Sequence, residues 1–587
     1  MSAHQPGAAF GMAEIPIRNK LRAVLGGAFR RRLDRQRQMF LWQAKSLCRE
    51  TQHRVLQGLL ELNADSQFSR DFGLRPGLCL QDFQSRLDIS DYDRVAPYVD
   101  RMKVGDHRAL LGRRNRLLMY AVTSGTTSDS KLIPITDRFV ADYRRGWQHW
   151  GVAAHMQRPQ LRHLNMAQIT SSHRRFHTPD GTPCGNISGL VAEMQRPIVR
   201  RLYSIPAHVA HLNDADAKRY AVSWFALADP WVGMFITANP GTLLHLCQFF
   251  NDNADRLIRD ISDGTIRCQG LSKSEQATLK RLLKRRPARA RELHRILNEH
   301  GALKPTECWK ALHTLGVWSG GSARAYLTQL RHVYGDVPIR DHGLHASEGR
   351  MTSPVDDGTP AGILDIQSHF FEFVPVEYGE IASPDVLEAH ELQYGRDYFI
   401  LLTTSSGLYR YNIRDVVRCV GYYGTTPLLE FRHKGAHISS IAGEKIAESQ
   451  VVDAVERACR HQEVLLQQFT LTPEWGTPPR YTLFVQPRSL NGSPPASLLQ
   501  DLSREVDRLL RQANCEYEEK RGTRRLGSVE TCVVPDHHWD AFMAQRISRA
   551  GGSVEQYKHP CLLPDPHFER LFLTMSRPVS RAIGEEV

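Results

Sequence analysis

The sequence predicts a mixed α/β protein built from more than one packing unit. Its 587 residues are several times the usual domain size of about 100–200 residues. Stretches with apolar residues at helical spacing alternate with short β-prone runs along most of the chain. Glycine- and hydroxyl-rich segments punctuate that alternation.

Taken in order, residues 1–14 are small and polar in composition and predict no fixed structure. Residues 17–65 repeat apolar positions at helical spacing, with Leu21, Val24 and Leu25 expected to face a core. Short helices are expected over 80–111, a strand at 116–122, a polar loop, a second strand at 131–135 and a helix over 137–160. Residues 165–200 read as mixed and rich in turns, and 206–300 as mostly helical. The run "YAVSWFALADPWVGMFITA" (220–238) nearly reaches membrane-spanning length, but Asp229-Pro230 interrupts it. A buried helix, a turn and a core strand are expected there, not a membrane span. "TLGVW" then runs as a strand into Ser319-Gly320-Gly321, with a helix from about 322, and strand-like segments recur at 337–344, 362–376 and 397–404. Helices and strands alternate again beyond 448, around a surface loop at 490–496.

Composition narrows the class. Hydrophobic content of 41% with 24% charged residues is that of a soluble globular protein. The eleven cysteines are scattered singly, with no CxxC pair, which points to a reducing, cytoplasmic setting. No signal peptide is expected. The net charge of +13 is concentrated in residues 16–38, with eight basic residues against one acidic, and in a second block at 280–295. Nucleic acid or an acidic membrane surface would suit such blocks. No zinc finger, RNA-binding aromatic signature or basic heptad accompanies them, so no specific nucleic-acid partner is expected.

Four stretches carry chemistry. "TSGTTSDS" (123–130) offers Thr123, Ser124, Gly125, Thr126 and Thr127, short hydroxyls around a flexible backbone, the material of a phosphate cradle or of a polar hairpin turn. It lacks the second glycine and Gly-Lys-[Ser/Thr] of a Walker loop, and Lys131 opens a strand instead. In "DHGLHASEGRM" (341–351), Glu348 stands among Ala346, Ser347 and Gly349, where a carboxylate could hold Mg²⁺ beside a closely approaching ligand. Asp341, His342 and His345 invite a metal reading, but no further ligand lies at a helpful spacing. In "GLYRYNIRDVV" (407–417), Asp415 ends an extended run and can accept hydrogen bonds from ribose hydroxyls, or pair with Arg410 or Arg414. In "RAGGSVEQYKHP" (549–560), Lys558 lies in a loop after a helical segment.

In chain order these stretches, with "VWSGGSARAYLTQL", "HFFEFVP" (369–375) and "FRHKG" (431–435), resemble the Gretchen Hagen acyl-acid amido synthetases, a branch of the luciferase- and acyl-CoA-ligase-like adenylate-forming enzymes. The resemblance runs from about residue 38 to about 575. It implies a basic N-terminal extension (1–37), a large ATP- and acyl-binding domain of mixed sheets flanked by helices (38–432), and a smaller mobile α/β C-terminal domain (433–587).

The implied reaction is adenylation of a carboxylic acid by Mg-ATP, then transfer of the acyl group to the amine of an amino acid. The implied roles are Thr123, Ser124, Gly125, Thr126 and Thr127 on the phosphates, Gly320, Gly321, Ala346 and Ser347 around adenine, Asp415 on ribose, Glu348 on Mg²⁺, Lys434 at the hinge beside the nucleotide, and Lys558 on the α-phosphate. Leu344 or His345 replaces the tyrosine of plant members, and Cys561 the arginine after their late Lys-x-Pro. The short "ASEG" form suggests a bacterial-type member. Transfer to CoA or another thiol is the nearest alternative, and a non-catalytic nucleotide- or nucleic-acid-binding scaffold the more distant one.

Overall fold

The structure is a computed structural model describing residues 15–123, 131–195, 197–378, 384–435, 438–442, 444, 446–487, 495–522, 525–549 and 557–564. Three helices open it, Ile17–Leu25, Gly27–Ser46 and Cys48–Leu62. The third packs Leu56, Leu59 and Leu60 into the core, as its spacing predicts. The first corrects the expectation for Leu21, Val24 and Leu25, all of which are exposed; Asn19 and Ala23 are the buried positions. This helix docks by polar anchors instead. Asn19 donates to the His163 carbonyl at 2.9 Å, and Arg22 donates to the Leu164 and Arg201 carbonyls at 2.8 and 2.9 Å.

Among the described residues the large body holds three sheets. Strands Leu117–Thr123 and Lys131–Thr136 form the expected antiparallel pair, continued by Pro183–Gly185 and Phe176–His177. Strands Asn165–Gln168, Val232–Ile236, Thr314–Gly316 and Ile339–Arg340 make an all-parallel sheet in that order, covered by helices between 215 and 300. A seven-stranded antiparallel sheet follows, with Asp397–Thr403, Tyr411–Tyr423 and Thr426–Lys434 at its centre.

The run at 220–238 folds as its Asp-Pro break predicts. Helix Ala215–Leu227 is buried on nearly every side, and Asp229 accepts from the Trp231 amide, Asn165 and Ser204 before strand Val232–Ile236 begins. Among the described residues no helix is long and apolar enough to cross a membrane. The second basic block supplies helix Pro287–His300, in which Arg289 is buried and donates to the Leu227 and Cys308 carbonyls. Instead of an immediate α-helix, Ser319-Gly320 leads into a 3₁₀ turn, Gly321–Tyr326, before helix Leu327–Tyr334.

Beyond residue 444 a separate core forms. Strands Leu466–Glu474, Arg480–Pro487 and Glu530–Val533 form a sheet against helices Glu448–His461 and Ala496–Ala513. Residues 1–14 lie outside the described residues, as do 490–494 of the loop expected at 490–496, whose last position, Ala496, instead begins helix Ala496–Ala513.

Candidate active site

Ligands of parallel sheets gather at the carboxyl ends of the strands, where loops can vary without disturbing the ladder. Two of the predicted stretches leave the parallel sheet at that edge. Thr314–Gly316 runs into Trp318-Ser319-Gly320-Gly321, and Ile339–Arg340 runs into Asp341 and the Ala346–Gly349 turn. Asp341 ties the two exits together. One carboxylate oxygen accepts from the Ser319 amide and hydroxyl, both at 2.6 Å, and the other from the Gly343 amide at 2.6 Å. Burial pushes its pKa up to about 6 despite these donors.

The turn around Glu348 is closed by a bridge between His345 and Arg350 and by Ala346 N–H donating to the Gly349 carbonyl at 2.8 Å. Gly349 is required there, because a Cβ would lie 2.7 Å from Leu402 Cδ2 and 2.9 Å from His369 Cδ2. Glu348 is half-buried, and among the described residues no side chain pairs with its carboxylate. Burial raises its pKa, and the nearby Lys434 ammonium opposes that rise.

Asp415 lies within the thirteen-residue strand Tyr411–Tyr423, not at the end of an extended run. Its partner is Lys434, directly across the ladder, with Nζ 2.6 Å from Oδ1. Neither arginine proposed as a partner takes that role. Arg410 makes a buried ion pair with Glu372 at 3.1 Å and donates to the Leu87 carbonyl at 2.6 Å. Arg414 adopts φ 58° and Arg410 φ 47°, left-handed conformations that cost energy for any residue with a Cβ and recur at functional sites. Both arginines precede Asp415 in the chain, Arg414 immediately.

Lys558 completes the cluster from the C-terminal unit. Its ammonium lies 3.6 Å from the centroid of the Trp318 ring, a cation–π contact. Burial, and then Lys434, push its pKa down to about 8, while Asp415, Glu448 and Glu348 oppose the shift. The residue is nonetheless exposed to solvent, which screens the effect of the surrounding protein on its charge.

The loop carrying Lys558 is fastened on both sides. His559 Nε2 sits 3.0 Å from the Phe469 carbonyl and 2.9 Å from the Thr470 hydroxyl, with Tyr557 Oη 2.9 Å from Nδ1. The Cys561 amide donates to Glu448 at 2.7 Å, and Asn239 of the large body donates to the Tyr557 carbonyl.

The structure therefore brings Glu348, Asp415, Lys434 and Lys558 into one electrostatic group, with Ala346 and Ser347 half-buried in the turn beside them. Gly320 and Gly321 pack against Phe431, whose ring stands 5.2 Å from Trp318. Gly321 has φ 56°, and a Cβ there would lie 2.7 Å from the Phe431 ring. Thr123 ends its strand opposite Lys131, whose charge acts on Glu348; Ser124, Gly125, Thr126 and Thr127 lie outside the described residues. Leu344 is buried in the core, which leaves His345 as the residue of that pair near the site.

His342 and His345 do not form a metal site with Asp341. Their rings face Trp147 and Trp150, with His342 4.9 Å from Trp147 and 5.5 Å from Trp150. Among the described residues, His173, Glu193 and His211 have ligand-like atoms within 4.8 Å of one another, but Arg174 donates to both His173 and Glu193 and supplies a cation of its own.

Sequence reasoning did not single out Trp318, Phe431, Asn239 or His559. Trp318 alone had a local signal, lying directly before Ser-Gly-Gly at a strand exit.

A parallel-sheet body whose strand exits meet a lysine carried in by a small C-terminal unit has the architecture of the adenylate-forming enzymes. A solved structure of the AtGH3.15 acyl acid amido synthetase in complex with 2,4-DB superposes with a TM-score of 0.80 at 20% identity, over 92% of this chain and 95% of that one. A 2-hydroxyisobutyryl-CoA ligase in the postadenylation state follows at 0.52 and 12%, over 91% and 93%.

The chain belongs to the GH3 family: the family's N-terminal domain matches residues 37–339, its central domain 362–434 and its C-terminal domain 449–567. Among curated relatives, a jasmonoyl–L-amino acid synthetase of Oryza sativa subsp. japonica is 24% identical, covering 90% of this chain and 94% of its own. A probable indole-3-acetic acid-amido synthetase of the same plant is 26% identical, covering 89% and 87%.

Proposed function

We propose that this protein is an ATP-dependent acyl-acid amido synthetase that makes an acyl-adenylate and passes the acyl group to the amine of an amino acid. The observation that carries this reading is Lys558, held over Trp318 by the C-terminal unit and facing Asp415 and Glu348, in a GH3 family chain.

In the first step a carboxylate oxygen of the acid attacks the α-phosphorus of ATP. The new O–P bond forms as the bond to the bridging oxygen breaks, and pyrophosphate leaves. Such transfers depend on positioning and charge compensation more than on covalent help. Thr123, Ser124, Gly125, Thr126 and Thr127 cradle the β- and γ-phosphates. Gly320, Gly321, Ala346 and Ser347 leave room for adenine beside Trp318 and Phe431. Asp415 keeps Oδ2 for a ribose hydroxyl while Lys434 orients Oδ1, and Lys558 offsets charge at the α-phosphate. Glu348, a carboxylate without a side-chain partner among the described residues and disfavoured as an anion, suits Mg²⁺, which when bound would neutralise phosphate charge. In the second step the amine attacks the acyl carbon, AMP leaves with the electrons of the acyl C–O bond, and the ammonium intermediate loses a proton.

The acid pocket is drawn from helix Asp137–Gln157 and residues 342–350. Tyr143, Trp147, Trp150, His342 and His345 form an aromatic wall, and the Arg350 guanidinium stacks on Trp147 at 5.0 Å. Such a wall favours an acid with a flat, apolar body. Strand Thr426–Lys434 of the body runs past the expected boundary between 432 and 433, so we place the mobile unit beyond Lys434. The ten cysteines whose side chains are described, all free, support a cytoplasmic setting.

The decisive experiment is a mass-spectrometric screen of carboxylic acids against amino acids and CoA with Mg-ATP. Amide products with pyrophosphate release are expected. Thioesters alone would replace amide formation with CoA transfer, and no pyrophosphate exchange with any acid would end the adenylation reading.

A further inference from the structure

The N-terminal helix is inside out. Helices normally bury their apolar stripe, yet here the buried positions are Asn19 and Ala23, and the stripe faces solvent. Ile17 is 84% exposed, Leu21 58%, Val24 75% and Leu25 64%. At 100° per residue these four share one side of the helix, in a stripe roughly 12 Å long. Phe29, also exposed, extends it onto the next helix. Exposed basic side chains border it, Arg18 on the first helix and Arg31, Arg32 and Arg35 on the second. Met39 and Trp42 add exposed apolar surface further along that helix.

Two facts make this more than scattered surface hydrophobicity. The polar anchors of Asn19 and Arg22 to residues 163–165 and 201 fix the helix with its apolar side outward, so rolling it inward would break four hydrogen bonds. The family match begins at residue 37, beyond the stripe, so the common machinery does not account for it.

We propose that residues 17–42 form a docking face for an anionic lipid bilayer surface. Aliphatic side chains would enter the boundary between headgroups and acyl chains, and the arginines would meet phosphate and other anionic groups around them. Charge selects this occupant. The segment 16–38 carries eight basic residues against one acidic, which repels a second copy of itself and matches an acidic membrane. Nucleic acid would use the arginines but leave a stripe of Ile, Leu, Val and Leu in water. Bound this way, the enzyme would meet apolar acids where they concentrate, a consequence that rests on the proposed function, whereas the lipid contact does not.

The test is flotation of the full chain with vesicles of phosphatidylcholine alone or with 30% phosphatidylglycerol (an about one-in-three anionic surface). Binding to the anionic vesicles is expected, falling in high salt, with little binding to neutral ones. Leu21→Ser/Val24→Ser/Leu25→Ser should lower partitioning about tenfold or more. Arg31→Gln/Arg32→Gln/Arg35→Gln should remove the preference for anionic lipid, and both variants should keep amide synthesis in solution. Equal partitioning of wild type and the triple serine variant overturns the proposal. So does light scattering that shows a wild-type oligomer dissolved by the serine substitutions, which would make the stripe a self-interface. Salt-sensitive binding to duplex DNA without vesicle binding overturns it in favour of nucleic acid.

Discussion

A lysine ammonium that must offset phosphate charge is useful only while it is charged, and Lys558 sits where its charge is costly. With its pKa pushed down to about 8, it is protonated below that pH and neutral above it. We therefore expect kcat/KM for ATP–pyrophosphate exchange to fall as pH rises through about 8 in the free enzyme. Lys558→Arg, which stays charged, should carry the alkaline limb upward, and an unchanged pH profile would remove Lys558 from the phosphate. Lys558→Ala should slow exchange by about a hundred- to thousand-fold, the usual cost of one such contact. Arg410 belongs to stability. Arg410→Gln leaves Glu372 as a buried carboxylate without its cation, a loss of about 3–5 kcal/mol. Urea unfolding should show the loss, and Arg410→Met with Glu372→Leu should recover much of it.

At the scale of elements, helix Asp137–Gln157 carries Gly146 in its middle, where alanine would ordinarily add about 1 kcal/mol. Here a Cβ would fall 2.2 Å from Arg350 Cδ and 2.4 Å from Nε, and Arg350 is fully buried. Gly146→Ala should therefore lower the melting temperature and raise KM for the acid, since Arg350 stacks on Trp147 of the acid wall. A gain in stability from this substitution would show that the guanidinium relaxes freely. The paired strands Tyr411–Tyr423 and Thr426–Lys434 illustrate a second division of labour. The sequence pattern marked only a short extended run ending at Asp415, and the cross-strand register that sets Asp415 against Lys434 depends on irregularities at Arg414 and at Val416–Val417 that periodicity does not encode.

For the whole molecule, the central question is what holds the C-terminal unit against the body. Arg324 bridges to Asp453 at 2.7 Å and to Glu456 at 3.4 Å, and Gln329 donates to the Gln467 carbonyl at 3.0 Å. With Asn239 on the Tyr557 carbonyl, these contacts keep Lys558 over Trp318. If the unit rotates between half-reactions, they must break. Arg324→Ala should then slow pyrophosphate exchange about two- to fivefold, the scale of a partly exposed ion pair, while leaving amide formation from supplied acyl-adenylate untouched. Equal slowing of both steps would argue against a rotation. Glu456, pushed up to about 7 by burial, loses its charge as pH falls through that value, so the same docking should weaken on the acid side.

The class of architecture and the order of the chemical stretches were legible in the sequence, because strand and helix periodicity, glycine placement and chain order are local properties. The sequence also placed Lys558 in a late loop, and the turn at Asp229-Pro230 in an otherwise apolar run. Only the tertiary structure decided which charges meet. Asp415 took Lys434 and not Arg410, because pairing follows from strand register and from burial of Glu372, both set by residues far away in the chain. It also decided which side of the first helix faces water: apolar spacing identifies a stripe, but whether that stripe is buried depends on the surface the helix lands on, and here that surface offers carbonyls.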